Sequence, residues 1–303
     1  MTDTDTDTVT IATAAYPLDW FDSFADFEAK AERWVGAAVS EGAELLVFPE
    51  YGAMELASLG GKAVAADLEG ALSEVAKHTP AMNETFSKLA AEHGVYILGP
   101  SGPVFTGNRP VNRATLHGPH GVVGHQDKQI MTRFEREDWD VVPGDEGLNI
   151  FETPLGRLGV VICYDSEFPL LSRKLAEEGV EILLAPSCTE TSAGYWRVRI
   201  GSMARALENQ CAVVHAPLVG TADWCAGCEE NTGAAAIYGP PDRDWPSDGV
   251  LAKGTLDAPG WVVGTVSRGL IAKTRADGGV LNLRHWDEQE TRLANGTKVV
   301  AAS

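Results

Sequence analysis

The pattern of apolar residues predicts an α/β protein, because a strand–helix–strand unit occurs twice. In the first unit residues 9–15 read as a strand, 24–41 as an amphipathic helix and 45–48 as a buried strand. In the second unit residues 158–162, 168–178 and 182–185 repeat that order. No Pro-, Gly- or Ser-rich linker divides the 303 residues, so a single domain is expected.

The elements follow from local signals. Asp22-Ser23 supplies an N-cap for the first helix and Gly42 a stop, since glycine takes the left-handed conformation that ends a helix without a Cβ clash. Residues 82–93 read as a further helix and 95–98 as a strand. Residues 114–116 and 122–123 flank Gly118-Pro119-His120-Gly121, a turn signal, so a hairpin is expected to deliver Lys128. Gly179 stops the helix of the second unit. Residues 195–209 read as a helix, and 212–215, 234–238 and 261–267 as strands. Residues 1–8, a Thr-Asp repeat, read as a disordered lead-in, and residues 268–303 depart from the periodic pattern of a core running from 9 to 267.

Composition narrows the function classes. The balance of 24 basic against 43 acidic residues makes a nucleic-acid-binding surface unexpected, because phosphate contacts depend on clustered Lys and Arg. No run reaches the roughly 18 apolar residues of a membrane span. The acidic start lacks the apolar core of a secretory signal, so a cytoplasmic protein is expected. Five cysteines in a chain of this size read as reduced thiols. Cys225-Ala226-Gly227-Cys228 has the spacing of a metal or redox pair, but no second pair lies near it, and no metal motif or phosphate-cradling glycine loop occurs. Neither a metal nor another cofactor is expected.

Three residues at the ends of predicted strands are the candidates for the chemistry. Cys163 closes Leu158-Gly-Val-Val-Ile162 and opens Tyr164-Asp165-Ser166-Glu167-Phe168-Pro169. Glu50 follows Leu45-Leu-Val-Phe48-Pro49, and Lys128 ends Gly124-His-Gln-Asp-Lys128. A thiol is only a few per cent thiolate at neutral pH, so a nucleophilic cysteine needs a neighbouring base or cation. A carboxylate can accept its proton, and a fixed ammonium can stabilise charge developing on a substrate oxygen. Such an ammonium stays charged when carboxylates surround it, which calls for a second glutamate close by.

These segments resemble the carbon–nitrogen hydrolase family, the nitrilase superfamily, whose members share a Glu-Lys-Cys triad in this chain order. Further resemblance lies in Thr132-Arg-Phe-Glu135-Arg-Glu-Asp-Trp139 with Pro143-Gly144, and in Trp196-x-x-x-Ile200-Gly-Ser-Met-Ala-Arg205-Ala-Leu-Glu208-Asn209 read with Arg199 before Ile200. Together they cover residues 9–267. The resemblance implies a four-layer α-β-β-α sandwich paired as a homodimer or a higher homo-oligomer, with the C-terminal tail reaching a partner subunit. It assigns Glu50 as general base, Lys128 and the backbone N–H of Tyr164 as oxyanion donors, and Cys163 as nucleophile. Glu135 matches the nitrilase-like Thr-x-x-Glu-Arg-x-x-Trp pattern and is the preferred second glutamate. Glu137, two positions before Trp139 as in aliphatic amidases, is the alternative.

The implied activity is thiol-dependent hydrolysis of a linear carboxamide, since Cys163-Tyr164-Asp165 is more amidase-like than the Cys-Trp-Glu of nitrilases. Hydrolysis of a nitrile or an N-carbamoyl compound is the alternative, and a silent binding protein on the same fold is the reading from another class. Tyr51, Trp139, Glu167 and Trp196 are candidates for the substrate cleft. Glu167 stands where omega-amidase-like relatives carry an arginine for a substrate carboxylate, which favours a neutral or cationic amide unless Arg173 or Arg197 enters the pocket. A Cys-His hydrolase using His125 or His215 is the mechanistic rival, although a histidine in an apolar strand is more often a satisfied core residue.

Overall fold

The computed structural model describes residues 7–302. Two sheets lie face to face with helices on both outer sides. The first sheet holds β1 (Thr8–Ala15), β2 (Leu45–Val47), β3 (Tyr96–Leu98), β4 (Gly102–Phe105), β5 (Pro110–Gly118), β6 (Gly121–Asp127) and the late strand β15 (Gly260–Ser267). Its order is β15-β1-β2-β3-β5-β4, with β6 on the free side of β5. The second sheet, in the order β14-β13-β10-β9-β8-β7, contains β7 (Ile150–Thr153), β8 (Gly156–Val160), β9 (Ile182–Ser187), β10 (Ala212–Pro217), β13 (Ala236–Tyr238) and β14 (Val250–Lys253). A small ribbon pairs β11 (Gly220–Thr221) with β12 (Glu230–Asn231).

Both expected strand–helix–strand units are present as parallel pairs. β1 and β2 flank α1 (Phe24–Ser40), with Ile11 opposite Leu45. β8 and β9 flank α5 (Pro169–Glu177), with Leu158 opposite Ile182. Ser23 starts α1, its N–H donating to the Asp26 carboxylate at 3.0 Å, and Gly42 ends that region at φ +81°. The hairpin β5–β6 turns at Gly121, φ +112°, and carries the chain to Lys128.

The inner faces form one apolar layer. Ile11, Leu45, Val47 and Leu116 from one sheet meet Leu158, Val160, Leu184 and Val214 from the other, all fully buried. On the outer face of the first sheet, Ala12, Leu46 and Ile97 pack with α1 and α3 (Leu68–His93) through Phe27, Val35, Phe86 and Leu89. On the outer face of the second, Leu183, Val213 and Tyr238 pack beneath α5 and α6 (Ser192–Asn209). The single domain is therefore an α-β-β-α sandwich.

Three expectations shift. Asp7 and Thr8 do not belong to the disordered lead-in expected over residues 1–8, because Thr8 pairs with Ser267 and the Asp7 carbonyl accepts from Arg268 N at 2.8 Å; residues 1–6 of that expectation lie outside the described residues. The helix expected over 82–93 begins at Leu68 and runs through Pro80. Asp67 caps its start, accepting from Gly70 N at 2.8 Å, and buried Leu72, Val75, Met82 and Phe86 hold both halves on the sheet, which offsets the missing proline N–H. The chain beyond 267 also stays on its own core at first. α7 (Arg268–Asp277) buries Ile271 and Thr274, and Thr274 Oγ1 accepts from Trp245 Nε1 at 2.8 Å. The later short helices α8 (Asn282–His285) and α9 (Glu288–Leu293) bury no residue of their own. Between α3 and α5 the chain adds α4 (Arg133–Glu137), and α2 (Lys62–Ala65) precedes α3.

The inter-sheet layer contributes to stability by burying apolar side chains from both sheets. Leu184→Ala removes a fully buried side chain from its centre and is expected to lower the unfolding free energy by about 2–5 kcal/mol. Equilibrium urea denaturation, compared at unchanged slope, measures it.

Candidate active site

Glu50 is set by the end of β2 and the turn that follows. Phe48 still bonds Leu98 O at 2.9 Å, after which Tyr51 adopts a left-handed conformation, φ 54°, and opens a 3-10 helix over Gly52–Gly60. A Cβ at Gly52 would lie 2.8 Å from Pro100 Cβ, so only glycine fits behind the tyrosine. The 3-10 helix is anchored by the buried Glu55, which takes Tyr16 OH at 2.6 Å and Lys30 Nζ at 2.7 Å. Glu50 itself is 1% exposed. Its Oε1 accepts from Lys128 Nζ at 2.7 Å and Asn112 Nδ2 at 3.0 Å, and its Oε2 from Cys188 N at 2.9 Å.

Lys128 follows β6, its N–H bonded to Asn112 O at 2.9 Å. The ammonium bridges Glu50 and Glu135, 2.7 Å from each. Glu135 is placed by a capping box: Thr132 is the N-cap of α4, and the Glu135 carboxylate reaches back to Thr132 N at 2.8 Å and Thr132 Oγ1 at 2.9 Å. Its other oxygen accepts from Tyr51 OH at 2.8 Å. Glu137, the alternative, is at the surface and pairs with Arg133 at 2.7 Å. The structure therefore brings Glu135, not Glu137, to Lys128.

Cys163 sits beyond β8 in a left-handed conformation, φ 47°, at the start of a 3-10 turn over Cys163–Glu167. The thiol is 5% exposed and lies 3.8 Å from Cys188 O. The turn is braced from two sides. Ser166 Oγ donates to Cys163 O at 2.6 Å, and Arg205 of α6 donates to Ser166 O at 3.1 Å while pairing with Glu208 at 3.0 Å. Gly201 lets α6 come this close, since a Cβ there would stand 3.0 Å from Ser166 O.

Two residues were not singled out from the sequence. Asp165 is 1% exposed and accepts from Ile130 N at 2.8 Å and from Gln129 N and Ile162 N at 3.2 Å, which ties the cysteine turn to the lysine loop. Asn112, fully buried in β5, links Glu50 to Ser101, whose Oγ donates to Asn112 Oδ1 at 2.7 Å. The available signals were an acid in a turn between two apolar stretches and an amide inside a strand, where such a side chain needs a partner.

The electrostatics follow from burial and charge. Burial opposes the Lys128 charge, but Glu50 and Glu135 together hold its pKa well above the ordinary lysine value. Burial pushes Glu50 up; Lys128 pulls it down, and Glu135 raises it. Burial also acts to raise Glu135, yet Lys128 and its hydrogen bonds leave it below the usual carboxylate value. Burial and then the Glu50 carboxylate drive the Cys163 thiol well up, against the pull of Lys128. Burial thus favours the thiol form of Cys163, in a site where Lys128 pairs with Glu50.

These groups line a cavity of about 670 Å³, within the range of small-molecule sites. Tyr51, Trp139 and Glu167 line it as expected, and Tyr164, Cys188 and Arg197 join them. Trp196 does not: it is 48% exposed on the outward side of α6, with Arg199 over its ring at 5.0 Å, whereas Arg197, one residue on and itself exposed, lines the cavity. Arg173 lies elsewhere, stacked 3.9 Å from the centre of the Trp286 ring. Neither histidine of the rival reading lines the cavity. His215 is fully buried against Ser187, and burial drives it down to about 3; His125 faces Glu146. Cys225 and Cys228 are buried in the core, and between them Gly227, φ +82°, lies where a Cβ would strike the Trp139 ring at 1.9 Å. That segment packs the pocket wall.

The carbon-nitrogen hydrolase family model matches residues 9–246, and the chain belongs to that family. It is 30% identical over 281 residues to the probable hydrolase YhcX of Bacillus subtilis, covering 91% of this chain and 53% of YhcX, so it spans about half of that relative's length. It is 27% identical over 205 residues to the omega-amidase NIT2 of Danio rerio, covering 63% of this chain and 68% of NIT2. The crystal structure of an amidase from Nesterenkonia sp. superposes with a TM-score of 0.67 at 23% identity, over 92% of this chain and 96% of that one. The match extends the domain no further than 246, whereas β15 completes the first sheet beside β1.

Burial, opposed by Lys128 and the backbone donors, pushes Asp165 up to about 7. A carboxyl raised above its unfolded value binds its proton in the folded state, so the stability it contributes is present at low pH and lost as pH rises from about 4 to about 7. Asp165→Asn is expected to remove that component, flattening the change in unfolding free energy between pH 5 and 7 by about 2 kcal/mol. Denaturant titrations of both proteins at the two pH values provide the check.

Proposed function

We propose that the protein hydrolyses a linear carboxamide to a carboxylic acid and ammonia through a thioester on Cys163. The observation that carries this reading is the placement of the Cys163 thiol in one cavity with Lys128 Nζ, itself 2.7 Å from both Glu50 and Glu135. Glu50 takes the thiol proton as Sγ attacks the amide carbon. Lys128 and the N–H of Tyr164 receive the oxyanion, a role in which one donor contributes about 10²–10³ in rate. Glu50 returns the proton to nitrogen, the C–N bond breaks and ammonia leaves. Water then adds to the thioester with Glu50 as base, and the C–S bond breaks to give the acid and the thiol. One amide and one water become one acid and one ammonia, with no redox change. Glu135 acts through Lys128, holding the ammonium charged and in place.

A nitrile is the second reading, favoured by the Thr132-x-x-Glu135-Arg136-x-x-Trp139 pattern. It uses the same nucleophile and passes through a thioimidate. An N-carbamoyl compound, releasing carbon dioxide as well, uses the same set again.

The acting unit is a homo-oligomer. Support comes from the outward faces of α5 and α6, where Leu170, Trp196 and Ile200 are 69%, 48% and 61% exposed, and from the tail, where Leu293 and Val299 are 76% and 99% exposed. Among the described residues all five cysteines are free and no helix is long and apolar enough to cross a membrane. Reduced thiols fit the cytoplasm as the place of action.

Ammonia release from a panel of amides, nitriles and N-carbamoyl compounds tests the reaction. Release from amides, reduced at least about 10³-fold in Cys163→Ala and in Glu50→Gln, is the expected outcome; activity that survives Cys163→Ala excludes the mechanism. Light scattering after size exclusion tests the assembly. Leu170→Glu/Ile200→Glu is expected to shift an oligomer to monomer, and a wild-type monomer at working concentration rejects the assembly.

A further inference from the structure

Beyond the reacting groups the cavity wall is acidic. Glu167, Glu190, Glu229 and Glu230 line it against a single further cation, Arg197. Glu167 already meets that cation, its Oε1 lying 3.4 Å from Arg197 Nε, so the guanidinium charge is answered from within the wall. Glu190, Glu229 and Glu230 are exposed and have no ion-pair partner among the described residues. Three carboxylates therefore remain uncompensated around the mouth of a cavity that ends at a buried thiol.

A second feature of the same wall points to a guest. Phe134, Trp139 and Tyr164 present aromatic side chains to this cavity. Trp139 is 1% exposed, and its indole N–H is a buried donor without an acceptor among the described residues. That donor packs behind Gly227, so Trp139 contributes to the wall through its ring and not through its N–H. Carboxylates beside aromatic rings are the combination that attracts an organic cation, through charge focused by low-dielectric walls and through the ring quadrupole. The same field repels a substrate that carries a carboxylate.

We propose that the site selects carboxamides whose acyl chain bears a protonated amine or guanidinium, with Glu190, Glu229 and Glu230 receiving the cation while the amide reaches Cys163. The chemistry at the amide end rests on the reading given above; the selection rests on the wall. Glu167 has a separate part in it, keeping Arg197 from receiving an anionic substrate.

The test uses three primary amides of matched length, ending in an ammonium, a methyl group and a carboxylate. In wild type at low salt the ammonium amide is expected to exceed the neutral one in kcat/KM by about tenfold, and the carboxylate amide to be the poorest. The preference is expected to shrink in high salt, where exposed charges are screened, and in Glu190→Gln/Glu229→Gln/Glu230→Gln. Glu167→Gln, by releasing Arg197, is expected to raise kcat/KM for the carboxylate amide. Equal kcat/KM across the series, or preference for the carboxylate, overturns the proposal. Turnover of the neutral amide reports on the amidase reading alone. Should none of the three release ammonia, that reading fails, and calorimetric binding of the same compounds to Cys163→Ala decides the selection. Binding of the ammonium amide no tighter than the neutral one then overturns it.

Discussion

A buried ammonium between two carboxylates is the constraint on which the rest of the site depends. Lys128 is 1% exposed, and an isolated charge in that position costs several kcal/mol. Glu50 and Glu135, each 2.7 Å away, offset that cost, but they are buried too and need partners of their own. Asn112 and the Cys188 N–H serve Glu50; Tyr51 and Thr132 serve Glu135. These groups come from β5, from the end of β9, from the turn after β2 and from the cap of α4. The ion cluster is satisfied only when both sheets and their connecting turns are in place.

The nucleophile obeys a related logic. Cys163 and Tyr51 both hold left-handed backbones, an arrangement that costs about 1–2 kcal/mol for a residue with a Cβ. Each is imposed by what surrounds it. Tyr51 is held by Ser101 at its N–H and by Glu135 at its hydroxyl, and Cys163 by Ser166, Asp165 and the α6 face carrying Gly201 and Arg205. The strain turns two side chains off the ends of strands and into one cavity. α6 therefore contributes to the site chiefly by bracing a turn, and by presenting Arg197 to the cavity.

Much of this was legible because the signals are local. Strand ends at residues 48 and 162, the hairpin turn near Gly121 and the capping pattern Thr132-x-x-Glu135 each depend on neighbours in sequence. The choice between Glu135 and Glu137 needed the cap geometry, which turns one carboxylate back toward Thr132 and leaves the other to Arg133. Trp196 and Arg197 show the limit: adjacent residues on a helix point about 100° apart, and only the docking of that helix says which of them faces the cavity. Pro80 likewise reads as an interruption locally, yet packing on both sides carries the helix through it.

The sequence by itself determined the α/β alternation, the two strand–helix–strand units and the residue types able to supply a nucleophile, a base and a cation, because periodicity, caps and strand ends are written over a few residues. The tertiary structure decided which of those groups meet. Asp165 reaching the N–H groups of Gln129 and Ile130, Cys188 reaching Glu50 across 138 residues, and Glu167 facing Arg197 are contacts between distant segments. Burial then turned proximity into chemistry, since removing water makes each of those charges depend on its partners.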